Sequence, residues 1–189
     1  LDWYPNSNHA GLFIAQQKGY FKDEGLEVKL YTPSDPSTVL QTVGAGKDDF
    51  GISYQTDVLI ARSEGVPVVS IVGMVQHPLN SVMTLKSSGI TRPRDLAGKK
   101  VGYPGIPYNI PLLKTMVEKD GGDFSKVEMV NVDFDLVPAI LSKRVDAIVG
   151  GYWTHENLVI EQQGQQVNVM RMEQWGVPDF YELVLVTNE

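Results

Sequence analysis

The chain has 189 residues, 42% hydrophobic and 21% charged, enough apolar side chain to bury a core and too much for a disordered chain, and a length that suits one large domain or two small lobes. Sixteen Lys and Arg against 23 Asp and Glu leave a net charge of −7, which opposes binding to nucleic acid or to anionic lipid. There is no cysteine, so disulfides, thiolate metal ligands and cysteine nucleophiles are excluded, as suits an extracytoplasmic protein.

Leu1-Asp2-Trp3 reads as the end of a strand already in progress, and Pro5-Asn6-Ser7-Asn8 as a turn. Residues 10–18 read as a helix with Asn8 as N-cap and Gly19 just past its end. Residues 26–31 alternate and stop at Pro33, which predicts a strand. Ser34-Asp35-Pro36-Ser37 is a helix-start signature; Val39, Leu40 and Val43 share a face before Gly44-Ala45-Gly46 ends the helix. A short buried strand is expected at 50–53 and a helix at 56–64. The Val- and Ile-rich run at 68–72 predicts a strand buried on both faces, and the order of elements predicts parallel β-α-β connections.

The second half repeats this programme. Strands are expected at 82–85, 100–103, 127–133, 147–149 and 167–171, helices at 110–119, 136–142 and 155–163, a loop at 87–98, and a last strand at 182–187 on which the chain stops. Gly46-Lys47-Asp48-Asp49-Phe50-Gly51-Ile52 is echoed by Lys143-Arg144-Val145-Asp146-Ala147-Ile148-Val149 about half a chain later. The echo predicts two similar α/β lobes, residues 1–79 with 183–189 and residues 80–182, joined by crossovers near 77–81 and 177–183. Open α/β sheets bind ligands at the carboxyl ends of their strands, so a cleft is expected there between the lobes.

Motifs of catalysis are missing. No nucleophile elbow, Walker loop, zinc-protease helix or dinucleotide loop occurs. His9, His77 and His155 are too scattered to suggest a metal site, and Asp48-Asp49 reads as a solvated turn. What recurs is a set of aromatic and amide residues after strands: Trp3, Asn6, Asn8 and His9; Tyr54; Tyr103 and Tyr108; Tyr152, Trp153 and Glu156. Aromatic rings make flat apolar walls, and amides and carboxylates orient a planar polar ligand such as a nitrogen heterocycle. The five arginines, at 62, 92, 94, 144 and 171, fall outside these four clusters. That placing disfavours sulfonate, nitrate or phosphate ligands, which recruit cationic forks. Glu156 stands before an apolar helix, where a carboxylate can accept from an amine or ring N–H, or simply favour the helix start.

Leu1-Asp2-Trp3-Tyr4-Pro5-Asn6-Ser7-Asn8-His9, then Lys18-Gly19-Tyr20-Phe21 and Glu24-Gly25-Leu26, together with Gly150-Gly151-Tyr152-Trp153-Thr154-His155-Glu156, resemble the thiamin-pyrimidine-binding family. The likeness spans the whole chain. That family includes ThiY-like substrate-binding proteins of bacterial ABC importers for formylaminopyrimidine, and the fungal thiamin-pyrimidine synthases. The resemblance implies a two-lobed type II periplasmic-binding-protein fold whose C-terminal helices would follow Glu189. It implies an aminopyrimidine ligand, a membrane permease as partner, an extracytoplasmic monomer and no cofactor. The synthases carry a cofactor lysine, a ring-donating histidine four residues later and a cysteine-rich iron motif; here the first two positions read Ser53 and Asp57, and cysteine is absent. A carrier is therefore expected rather than an enzyme. A menaquinone-pathway enzyme, a sensor domain and a sulfonate or nitrate binder share the fold and stand as alternatives.

Overall fold

The computed structural model describes residues 1–189. After a 3-10 turn at Ser7–His9 come α1 (Ala10–Lys18), α2 (Tyr20–Asp23), α3 (Val39–Gly44), β1 (Gly51–Ser53), α4 (Gln55–Ser63) and β2 (Val68–Val75). Then follow β3 (Asn80–Leu85), β4 (Lys100–Tyr103), α5 (Asn109–Lys119), β5 (Glu128–Asn131), α6 (Leu136–Leu141), β6 (Ala147–Tyr152), α7 (Glu156–Gln162), β7 (Val167–Arg171) and β8 (Leu183–Asn188). Most boundaries agree with the sequence pattern because the local punctuation is strong. Asp35 caps the turn that leads into α3, accepting from the Ser37 backbone N–H with Pro36 in the first turn, and Gly19 ends α1 at φ 80°. The first cap differs. Asn6, not Asn8, caps the Ser7–His9 turn, and α1 continues from His9 with no side-chain cap.

The strands form two sheets, one in the order β1-β8-β2 and one in the order β5-β4-β6-β3-β7. Each sheet holds, between two other strands, the strand that directly follows a crossing segment. β8 lies antiparallel between β1 and β2, and β3 lies antiparallel between β6 and β7. The purely parallel connections expected from the sequence are thus interrupted in both halves, and only β4 runs parallel to both its neighbours. The chain crosses between the sheets twice, through residues 76–79 and residues 176–182.

Two further expectations need correction. The run at 68–72 does form a strand, but β2 is the edge of its sheet and only Val68 on it is buried, with Val72 51% exposed. Residues 26–31 form no ladder; their carbonyls accept instead from the Leu1 ammonium, at Tyr31 (2.8 Å), and from Gln16 Nε2, at Val28 (3.0 Å). An alternating pattern needs a partner strand to become a ladder. The loop at 87–98 is tightened by 3-10 turns at Lys86–Ser88 and Pro93–Leu96.

The larger sheet is packed on both faces. Leu113, Met116 and Val117 of α5 cover one side with Val101 and Val149, while Leu136, Ala139 and Ile140 of α6 cover the other with Met83 and Ile148. Burial of a Leu or Met side chain contributes about 1.5–3 kcal/mol. A separate cluster of Ile52, Tyr54, Leu79, Ile106, Tyr108, Tyr152 and Leu183 draws on both sheets and on the first crossing segment. It is the floor on which the site is built. No helix is long and apolar enough to cross a membrane.

Candidate functional site

Above that floor, side chains from both halves converge. Asp2 and Trp3 come from the first loop and Tyr54 from the end of β1. Tyr108 precedes α5, Tyr152 ends β6 and Glu156 opens α7; all six line one cavity. Strand ends and helix starts place them because β1 and β6 both stop where a helix begins. The Tyr54 and Tyr108 ring centroids are 5.0 Å apart across the two halves. The cavity is almost shut. Its interior is about 10 Å³, room for roughly one water.

Carboxylates dominate its chemistry. Asp2 is buried, with Tyr54 OH donating to Oδ2 at 3.2 Å and His9 Nε2 2.8 Å from Oδ1. His9 Nδ1 accepts from the Asn6 backbone N–H at 3.3 Å, so the Nε2–H tautomer faces Asp2. Glu156 accepts from the Tyr152 backbone N–H at 2.7 Å; burial pushes its carboxyl up to about 7 against that bond, helped by the charge of Asp2. A third acid lies beneath them. Glu182 accepts from Leu79 and Asn80 backbone N–H groups, each at 2.7 Å, and from Tyr108 OH at 3.1 Å. Burial raises it to about 7 although those three donors favour its charge. Burial first, then the neighbouring carboxylates, pushes the Tyr54 and Tyr152 phenols well above their ordinary value; burial and Glu182 do the same to Tyr108. The Tyr152 hydroxyl is buried and has no hydrogen-bond partner, a group a ligand could satisfy.

Of the ten residues singled out from sequence, five stand on the wall: Trp3, Tyr54, Tyr108, Tyr152 and Glu156. The other five stand beside it. Asn6 Oδ1 accepts from the Asn8 backbone N–H, Asn8 Nδ2 is buried without a partner, and His9 sits behind Asp2. Tyr103 packs against the core of the larger sheet. Trp153 donates from Nε1 to the Pro78 carbonyl at 3.3 Å, and the Arg171 guanidinium lies 4.1 Å from its ring centroid. An arginine therefore does reach one of the four clusters, because β7 runs beside β3 and ends near the crossing segment. Sequence reading missed Asp2, Glu182 and Asn80 as parts of the site. Glu182 carries a signal: it is an acid followed at once by the apolar run 183–186.

An NMT1/THI5-like family model matches residues 6–189. The chain belongs to that family. Similar proteins include the formylaminopyrimidine-binding protein of Halalkalibacterium halodurans, 46% identical over all of this chain and 57% of that protein. A putative thiamine biosynthesis protein of Haemophilus influenzae is 39% identical over all of this chain and 60% of its own length. This family member therefore spans under two thirds of either relative. A 4-amino-5-hydroxymethyl-2-methylpyrimidine phosphate synthase of Saccharomyces cerevisiae is 42% identical over 79% of the chain and 44% of the enzyme. Among solved structures, the alkanesulfonate-binding protein SsuA of Xanthomonas axonopodis superposes with a TM-score of 0.75 at 14% identity, covering 94% of this chain and 61% of that one. The periplasmic aliphatic sulphonate-binding protein SsuA of Escherichia coli gives 0.73 at 16%, covering 96% and 62%. The chain shares the α/β fold of these periplasmic binding proteins.

Proposed function

We propose that this chain is the ligand-binding part of a solute-binding component of an ABC importer, and that it captures a formylaminopyrimidine or a close aminopyrimidine relative without transforming it. The observation that carries this reading is the convergence of four aromatic side chains from both halves on two buried carboxylates, Asp2 and Glu156. Rings stack on a flat heterocycle and carboxylates accept from its amino group. The 46% identical relative, named for binding this ligand, supports the same assignment. The lobes, residues 1–79 with 183–189 and residues 80–182, part to admit the ring and close on it by a hinge at the two crossing segments. Closed, the protein presents itself as an extracytoplasmic monomer to a membrane permease.

Calorimetry decides between ligand classes. A pyrimidine bearing the 4-amino group should bind at least a hundredfold more tightly than taurine or another sulfonate; equal affinity overturns the reading in favour of the ligands of the SsuA proteins. The synthase relatives make enzymatic turnover the second reading. Mass spectrometry of the pyrimidine after prolonged incubation should show no change, and a converted product would establish an enzyme.

A further inference from the structure

Glu182 is not on the cavity wall, yet its side chain is wholly buried and makes three hydrogen bonds. Two come from successive backbone N–H groups, Leu79 and Asn80, at the end of the first crossing segment. The residue itself ends the second crossing segment. Its third donor, the Tyr108 hydroxyl, belongs to the ring that faces Tyr54 across the cleft. Asn80 extends the contact: Nδ2 donates to the Tyr108 oxygen at 3.2 Å and to Asn109 Oδ1 at 2.8 Å, and Oδ1 accepts from the Gly150 N–H at 3.1 Å. One carboxylate thus fastens both interlobe segments to each other and to a wall of the ligand site.

We propose that Glu182 is a positioning residue, a latch that ties the geometry of the two crossing segments to the stacking face of Tyr108 and makes cleft closure take up a proton. The inference rests on the reading that the lobes close over a pyrimidine. When the cleft opens, water reaches Glu182 and its carboxyl returns toward the ordinary value; when it closes, the acid is sealed among Asp2, Tyr54, Tyr108 and Tyr152, none of which offers a positive charge. Asp57 acts on the Tyr108 hydroxyl rather than on Glu182 itself, adding to the charge that raises that phenol. A site of that kind holds a proton in the closed state that it releases in the open one.

The test measures affinity for 4-amino-5-hydroxymethyl-2-methylpyrimidine from pH 8 to pH 6 by calorimetry in two buffers of different ionisation enthalpy. Glu182→Gln preserves shape and an acceptor for the backbone donors. Wild type should gain up to about tenfold in affinity from the Glu182 proton over this range, and the substitution should remove that part of the gain along with a fraction of the proton taken up. The ligand's own titration is common to both proteins and cancels in the comparison. An unchanged pH slope and proton count in Glu182→Gln overturns the latch and leaves a structural acid. If the pyrimidine does not bind, the proposed function fails instead, and hydrogen exchange still judges the latch. Protection of the Leu79 and Asn80 amides, corrected for intrinsic rates, should fall as pH rises in wild type. A fall of the same size in Glu182→Gln refutes it without relying on any ligand, and so, in the pyrimidine-bound protein, does a Glu182 carboxyl that titrates near 4.5 by carbon NMR.

Discussion

The two sheets are built on one plan and end in different states. In each, a helix, a tight turn, a strand and a second helix follow in order: α3, β1 and α4 in the smaller, α6, β6 and α7 in the larger. In each, the strand that follows a crossing segment is inserted antiparallel beside that strand, β8 in one and β3 in the other, with β2 and β7 in matching places beyond. Yet β3 is buried at every residue while β2 is buried only at Val68. The larger sheet also carries β4 and β5 past β6, whereas residues 26–31 find no ladder beside β1. Composition does not explain this, since β2 is richer in Val and Ile than β3. Burial follows from what surrounds a strand: β3 lies between two neighbours in a sheet with a helix packed on each face, whereas β2 is the edge of its sheet.

That contrast can be broken by core truncation. Leu113→Ala, at the centre of the larger sheet's core, should cost about 2–5 kcal/mol in denaturant unfolding because transfer and cavity costs add. A loss below about 1 kcal/mol would mean that this layer is loose. The next effect sharpens the comparison at helix starts. Gln55 and Glu156 open α4 and α7; Gln55 Oε1 accepts from the Tyr181 backbone N–H at 2.7 Å, and Glu156 lines the cavity. At pH 8, where the Glu156 carboxyl is charged, Glu156→Gln should lower pyrimidine affinity about ten- to a hundredfold, the loss of a charge-assisted bond of roughly 1.5–3 kcal/mol, and Asp49→Asn should leave affinity unchanged. Wild-type binding by Glu156→Gln would reduce that residue to a helix-start glutamate.

Acidity probes the floor shared by both sheets. Glu156 and Glu182 are raised to about 7 and Asp57 to about 6, in each case chiefly by burial. The folded state therefore binds more protons than the unfolded chain between their ordinary values and these, and stability falls as pH rises through that window. Chemical unfolding should show a gain of about 1–3 kcal/mol on going from pH 8 to pH 6. Constant or falling stability over that range would contradict buried neutral acids.

Two glycines with positive φ give a smaller contrast. A Cβ on Gly150 (φ 99°) would meet Pro104 at 2.8 Å, whereas one on Gly65 (φ 86°) would meet nothing. Gly150→Ala should cost about 1–3 kcal/mol and weaken ligand binding, since it displaces the strand end that carries Tyr152; Gly65→Ala should cost about 1 kcal/mol of backbone strain alone. The smallest effect belongs to Ile71→Ala on exposed β2, about 0.5 kcal/mol or less by the same unfolding assay. A larger loss would mean that this edge is covered in solution.

The sequence by itself determined most elements, because caps, glycines and prolines act within a few residues: Asp35 with Pro36, Gly19 and Gly65 act where their neighbours predict. It determined too that aromatic residues gather where strands end, since that clustering is visible in the order Tyr54, Tyr108, Tyr152. The tertiary structure alone decided which of them face one another. Asn6 and His9 share the loop of Trp3 but turn to support Asp2, and Trp153 follows Tyr152 yet turns toward Pro78 and Arg171. Adjacent residues at a strand end point in opposite directions, so one register step separates wall from support. Glu182 was hidden for a related reason: its partners Leu79, Asn80 and Tyr108 are distant in sequence and meet it only where the chain crosses between the sheets. Strand insertion was hidden likewise, because β8 and β3 read as ordinary strands until each is received between two strands distant from it in sequence, where backbone groups of β1 and β2, or β6 and β7, are open on both sides of one gap.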